Sequence, residues 1–257
     1  MIIMSINDNP EVFLVWRRES DQTKQFDPRQ IENNIAIVID VLRATTNCII
    51  LLKNGVKEIF VRITPEEAKK LKETKFDDAL LVGERHMERI EGFDLGNSPY
   101  SNDSDANRKK VIGKTIIFSS TNFPKGLSKA KTAARIFIGA IVNAYAVAYT
   151  ALKEAKRLNC DIVLIASGGP SEHKAREDLA AASLIAKILK EEGCRLDDFL
   201  LTDMQLVEGF EHLAAINSSH ARNLYSKGFG HDVLFSIKNT ISLVPEYLKE
   251  EDKIILK

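Results

Sequence analysis

The chain has 257 residues, 44% of them hydrophobic and 28% charged, the balance of an ordinary globular protein with one large α/β domain or two small ones. Lys plus Arg and Asp plus Glu both number 36, so the net charge is zero; with no basic stripe or polybasic tail, neither a nucleic-acid nor a membrane partner is expected. The longest apolar runs are strand-length, so no bilayer span is expected, and Met1 to Asn9 lacks the charged start and apolar core of a signal peptide.

In chain order, β-branched and apolar runs predict a strand at Val12–Trp16 and a second at Ala36–Asp40, followed by a helix over Thr46–Lys53. A strand at Glu58–Arg62 precedes a helix over Pro65–Glu73, with Thr64 as cap, Pro65 in the first turn and Glu67 completing a capping box. A strand at Ala79–Val82 leads into a long polar stretch, Ser98–Lys110, read as a loop that divides two halves of the chain near 98–114 or covers a site. Beyond it come a strand at Thr115–Ser119, a helix over Pro124–Ala130, a strand at Arg135–Ile138, a helix over Val142–Leu158 and a strand at Asp161–Ala166. Helices over Ala175–Glu192, ended by Gly193, and over Thr202–Ile216 complete the pattern. This alternation predicts an α/β fold, layered αβα with a largely parallel sheet. The units 37–52, 116–130 and 162–189 share a strand–turn–helix plan, which suggests two similar halves of one chain.

Three cysteines, Cys48, Cys160 and Cys194, stand far apart without a CxxC pair. That argues against a disulfide scaffold or zinc knuckle and for a reducing cytoplasm.

Four segments carry candidate chemistry. In Asp40-Val-Leu-Arg43-Ala-Thr45-Thr46 an acid emerges at the carboxyl end of a buried strand, the edge where open α/β sheets bind ligands. Asp40 could hold a divalent cation, Arg43 a phosphate, and Thr45 or Thr46 the same anion; a helix cap with a structural Asp–Arg pair is the plain alternative. A haloacid-dehalogenase-type phosphatase would need a second Asp where Leu42 stands, so that reading is rejected. Glu84 and Arg85 follow the next buried strand, ahead of Gly92-Phe-Asp94-Leu-Gly96-Asn97-Ser98-Pro99, where turns can present oxygens and donors. Ser119-Ser120-Thr121-Asn122 can form an anion nest or a plain cap. Ser167-Gly168-Gly169-Pro170-Ser171 is a turn ahead of Glu177 and Asp178, which either complement a helix dipole or ligate a metal facing Asp40. P-loop, GxGxxG, GxSxG and HExxH patterns are absent. Among five histidines, His220 alone sits in a polar setting where it could meet substrate.

Taken in order, Asp40-Val-Leu-Arg-Ala-Thr-Thr46, Gly83-Glu-Arg85, Gly92-Phe-Asp-Leu-Gly-Asn-Ser-Pro99, Ser120-Thr-Asn122, Asn143-Ala144, Glu177-Asp178 and Ser219-His220 resemble the 2-phosphosulfolactate phosphatase (ComB) family, from about Val38 to about Asp232. The resemblance implies a Mg²⁺-dependent phosphatase that converts 2-phospho-3-sulfolactate to 3-sulfolactate and phosphate, a step toward coenzyme M in methanogens. It implies Asp40, Glu84 and Asp178 as metal ligands. Arg43 and Arg85 then clamp the acidic phosphoester, and Thr45, Thr46, Thr121 and Asn122 donate to phosphate, with Asn97, Ser98 and His220 nearby. The chain departs from the family pattern at His86-Met87, where small residues are usual, and at Phe123-Pro124, where Gly-Thr is usual. Both changes reshape the expected pocket. They motivate two alternatives: a phosphatase for a different small organic phosphate, and a non-catalytic small-anion binding or regulatory protein on the same scaffold. The C-terminal patches Leu243-Val244 and Ile254-Ile255-Leu256 can pack internally or across a homodimer.

Overall fold

A computed structural model describes residues 9–15, 30–168, 176–238 and 241–257. Trp16, the Gly169–Ser171 turn, His173 and Ala175 lie outside the described residues.

The strands are β1 (Glu11–Val15), β2 (Ile35–Ile39), β3 (Glu58–Arg62), β4 (Leu80–Arg85), β5 (Glu88–Arg89), β6 (Thr115–Ser119), β7 (Arg135–Gly139), β8 (Ile162–Ala166), β9 (Arg195–Leu196), β10 (Pro245–Leu248) and β11 (Lys253–Leu256). They form one sheet in the order β5-β4-β6-β3-β11-β10-β7-β2-β8-β1-β9. The helices are α1 (Ala44–Lys53), α2 (Pro65–Lys75), α3 (Pro99–Asn102), α4 (Asp105–Val111), α5 (Phe123–Lys129), α6 (Ala144–Leu158), α7 (Arg176–Glu191), α8 (Asp198–Met204), α9 (Glu211–Ile216), α10 (Ser219–Ser226) and α11 (Gly230–Ser236). None of the described helices is long and apolar enough to cross a membrane.

Two parallel blocks make up most of the sheet: β4-β6-β3, and β7-β2-β8-β1-β9. The antiparallel hairpin β10–β11 joins them, pairing Glu246 with Phe137 on one side and Ile254 with Ile59 on the other. Three successive antiparallel contacts make the two blocks run in opposite senses along the ladder. Right-handed strand twist of about 20–25° per step accumulates over the steps from β2 to β4 to roughly 120–150°. Residues from both blocks, Asp40 beyond β2 and Glu84 of β4 among them, line one cavity.

Period-two alternation sets the layers. Ile35, Ile37 and Ile39 of β2 share a core with Ala148 of α6 and Ile185 of α7. Ala36 and Val38 face the other way, into a core with Cys48 and Leu51 of α1, Phe123 and Leu127 of α5, and Ile116 and Phe118 of β6. The far face of the second block, with Phe60, Leu81 and Ile117, is covered by Ala68 of α2. Helices therefore flank both blocks and α1 and α5 lie in the core common to them, an αβα layering with a mostly parallel sheet, as the alternation predicts.

Several local expectations hold. Thr64 accepts from the Glu67 amide while Glu67 bonds back to the Thr64 amide, the anticipated capping box. Gly193 follows α7 with φ +93°. Others are corrected. Residues 98–110 are not a loop: Ser98 and Ser104 each cap a short helix, and Pro99 occupies the first turn of α3. The helix expected over Thr202–Ile216 is broken into α8 and α9 around Gly209, whose φ of +76° cannot continue a helix. Of the Ile254–Leu256 patch, which forms part of β11, Ile254 packs into the core while Leu256 is exposed. Glu84 and Arg85 are the last residues of β4 rather than residues past it, because β5 extends the ladder that far.

Candidate active site

Asp40 is the first residue beyond β2 and is buried. Its Oδ1 accepts from the Ala44 amide at 3.3 Å, across a turn that has no side-chain cap at Arg43. The Thr45 hydroxyl donates to the Asp40 carbonyl at 2.8 Å and the Thr46 hydroxyl to the Val41 carbonyl at 2.8 Å. Both threonines are buried, and their hydroxyl hydrogens are spent on holding this turn. From the start of α7, Asp178 Oδ1 accepts the Val41 amide at 2.8 Å. Burial and the neighbouring Glu84 and Glu177 charges push the Asp40 carboxyl up to about 6, against the pull of the Ala44 amide and His220. Burial, then the charges of Asp40 and Glu177, raise Asp178 well above the usual carboxylate range. Packing carboxylates together in a dry site produces this pattern.

Arg43 is buried, and each of its terminal nitrogens makes a hydrogen bond. Its Nη1 donates to Asp232 Oδ2 of α11 at 2.8 Å, its Nη2 donates to the Met87 carbonyl, and its guanidinium carbon lies 4.4 Å from the centroid of Phe229. Asp232 also accepts from the Ser98 hydroxyl at 2.7 Å and from the Tyr100 amide at 3.1 Å. One carboxylate thus ties α11 to the α1 entry and to the cap of α3.

Glu84 organises the opposite wall. Its Oε1 accepts from the Thr121 amide (3.0 Å) and hydroxyl (2.9 Å), and its Oε2 from the Met87 amide (3.0 Å). Gly83, just before it, is required by close approach: a Cβ there would stand 2.1 Å from the Ser119 carbonyl oxygen of β6. Arg85 bonds to the Ser119 hydroxyl at 3.0 Å and to the Ile63 carbonyl.

His220, near the start of α10, places Nδ1 3.1 Å from Glu177 Oε1. Burial lowers its pKa, but the hydrogen bond and charge of Glu177, with that of Asp40, outweigh this and raise it. Among the described residues, the other Glu177 oxygen, Oε2, is buried with no hydrogen-bond partner, and so is the Ser120 hydroxyl.

These groups meet at a cavity of about 400 Å³. Asp40, Arg43, Glu84, Arg85, Asn97, Thr121, Asn122 and His220 line it, with His86, Met87 and Ser120. Of the residues singled out from sequence, Thr45, Thr46, Ser98 and Asp178 do not line it. Sequence reasoning passed over Asp232, which looks like an ordinary acid in the first turn of a helix. Glu177 and Ser120 are legible there within the Glu177-Asp178 pair and the Ser119–Asn122 segment, without their partners. A groove of about 470 Å³ over Arg62, Lys70 and Tyr247 lies elsewhere. Its acids are already committed, Glu67 to the α2 cap and Asp252 to Arg62 and Tyr247.

The donor set suits a hard divalent cation. Among the described residues, no three His, Cys, Asp or Glu side chains form a ready-made metal cage. Mg²⁺ does not require one, since it binds through one or two carboxylates, water and substrate phosphate. Burial raises both Asp40 and Asp178, and the Asp40 charge adds to the rise at Asp178.

The chain is similar to known proteins over most of its length. The family described as 2-phosphosulpholactate phosphatase matches residues 21–250. A 2-phosphosulfolactate phosphatase of Methanocaldococcus jannaschii is 35% identical over 226 residues, covering 86% of this chain and 92% of the relative. A probable 2-phosphosulfolactate phosphatase of Carboxydothermus hydrogenoformans is 35% identical over 231 residues, covering 89% and 92%. One from Clostridium beijerinckii is 34% identical over 226 residues, covering 85% and 90%. The chain belongs to the 2-phosphosulpholactate phosphatase family, phosphoric monoester hydrolases.

Proposed function

We propose that the protein hydrolyses 2-phospho-3-sulfolactate to 3-sulfolactate and phosphate with Mg²⁺ as cofactor. The observation that carries this reading is the convergence of Asp40, Glu84, Asn122 and His220, from separate elements, on one cavity. The names of the relatives supply the substrate.

Asp40 and Glu84, which line the cavity, are the acids that would hold Mg²⁺; Asp178, expected as a third ligand, does not line it and accepts the Val41 amide next to Asp40. Bound there, the cation offsets negative charge on the phosphoryl group. The chain's own groups do the rest. Arg43 supplies a fixed positive charge on the wall, its fork held in place by Asp232 and Phe229. Arg85 adds a second. The free Ser120 hydroxyl and the Asn122 amide donate to phosphate oxygens. Thr121, whose hydroxyl hydrogen goes to Glu84, offers only an acceptor. Thr45 and Thr46 keep the turn rather than touch substrate. His220, oriented at Nδ1 by Glu177, holds a proton at Nε2 for the leaving oxygen as the phosphorus–oxygen bond breaks. Water enters on the opposite side of phosphorus, so the products are the alcohol and inorganic phosphate.

Phosphate release from a panel of small acidic phosphoesters tests this reading. Preference for 2-phospho-3-sulfolactate, lost on chelation, is the expected result. Preference for another member would support the second reading, a different small organic phosphate. Tight binding without phosphate release would favour an anion-binding protein.

A further inference from the structure

We propose that His86 and Met87 are the specificity-determining residues of this pocket, forming the wall that meets the non-phosphoryl, acidic end of the substrate. The inference rests on the phosphatase reading above and assigns the part of the site that reads the rest of the molecule.

His86 and Met87 are the two-residue turn between β4 and β5, with φ of +52° and +73°. A hairpin of this length favours positive φ at both positions, and Asn-Gly or Gly-Gly fills it at least cost. A histidine and a methionine occupy a left-handed backbone at a cost that glycine avoids. Strain of this kind persists where the surroundings impose it, and commonly at binding sites. Here the surroundings do impose it. The Met87 amide donates to Glu84 Oε2 and the Met87 carbonyl accepts from Arg43. Glu88, next in the chain, pairs with Lys227 at the end of α10 at 2.7 Å. The Met87 side chain packs against the core that contains Ala221 and Leu224 of the same helix. The backbone contacts would survive in a glycine turn, so they do not explain the two side chains. What the side chains add is a surface: both line the cavity, Met87 as a half-buried apolar face and His86 as an exposed imidazole at its rim. A short carbon stem against Met87 and a carboxylate or sulfonate beside His86 match that surface.

The test uses His86→Gly and Met87→Gly. Both keep the turn's amide and carbonyl groups, and His86→Gly leaves the Met87 packing intact. Melting temperature is read alongside phosphate release from 2-phosphosulfolactate and from p-nitrophenyl phosphate, which lacks the second acid. The melting temperature of His86→Gly should equal or exceed that of the wild type, by up to about 4 °C. In each variant kcat/KM for 2-phosphosulfolactate should fall at least tenfold more than that for p-nitrophenyl phosphate, mainly through KM. An unchanged ratio in His86→Gly would overturn the inference alone, as would a fall in its melting temperature, which would show that the turn serves stability. Absence of wild-type turnover on both esters would overturn this inference and the phosphatase reading together.

Discussion

Arg43 and Asp232, 189 positions apart, form an ion pair at 2.8 Å with both side chains 2% exposed. Removing one partner of such a pair leaves the other charge buried and unpaired, at a cost of about 3–5 kcal/mol. Asp232→Asn should therefore lower stability by about that much in denaturant unfolding and reduce kcat/KM at least tenfold, because Arg43 loses its orientation. Arg43→Lys should not rescue: an ammonium cannot reach Asp232, bond the Met87 carbonyl and stack on Phe229 as a planar fork does. Wild-type stability and turnover in Asp232→Asn would contradict this account of Arg43.

Gly83 permits β4 to lie against β6 directly behind Glu84. Gly83→Ala places a methyl group into the Ser119 carbonyl, and overpacking of this kind costs about 1–3 kcal/mol. Lower thermal stability and weakened turnover are expected together, since displacing β4 moves Glu84. A melting curve indistinguishable from wild type would show that the strands separate freely there.

Glu154 of α6 pairs with Arg135 (2.6 Å), Arg157 (2.9 Å) and Lys257 (3.1 Å). Burial alone would raise its pKa, but the three cationic partners more than offset it and lower the value to about 2. A depressed folded-state pKa stabilises the fold above the unfolded value near 4.5 and loses that contribution as pH falls toward 2. Glu154→Gln should accordingly be less stable than wild type at pH 7, and the gap should close between about pH 4.5 and 2. A gap independent of pH would contradict the ion-pair assignment.

Asp40 shifts the other way. Its folded-state value near 6 exceeds the ordinary 3.8, so the metal-free protein binds this proton better than the unfolded chain. Stability without metal should fall as pH rises from about 4 to 6 and stay lower above that. Mg²⁺, by compensating the carboxylates, should raise the melting temperature more at pH 7.5 than at pH 5. Equal shifts at both pH values, or none, would count against Asp40 as part of the cation site.

Much of the fold is legible in the sequence where segments are apolar and continuous. The runs of β2, β3, β6 and β8 are nearly all buried on both faces, so their composition announces them. The central hairpin is not: β10 and β11 are short, and their place in mid-sheet depends on Phe137 and Ile59, far away in sequence. Helices α3 and α4 hide in a polar stretch because Pro99, Asn102 and Val111 are almost their only buried positions. At the site, Asp40 stands out as an acid ending a buried run. Asp232 does not, because only the tertiary fold brings it to Arg43.

The most direct measurement is phosphate release from 2-phospho-3-sulfolactate by wild-type protein and by Asp40→Asn, each with Mg²⁺ and with a chelator. The account predicts turnover by the wild type with Mg²⁺ alone, and a folded, inactive Asp40→Asn protein. Wild-type rates from a folded Asp40→Asn protein, or turnover that survives chelation, would contradict it.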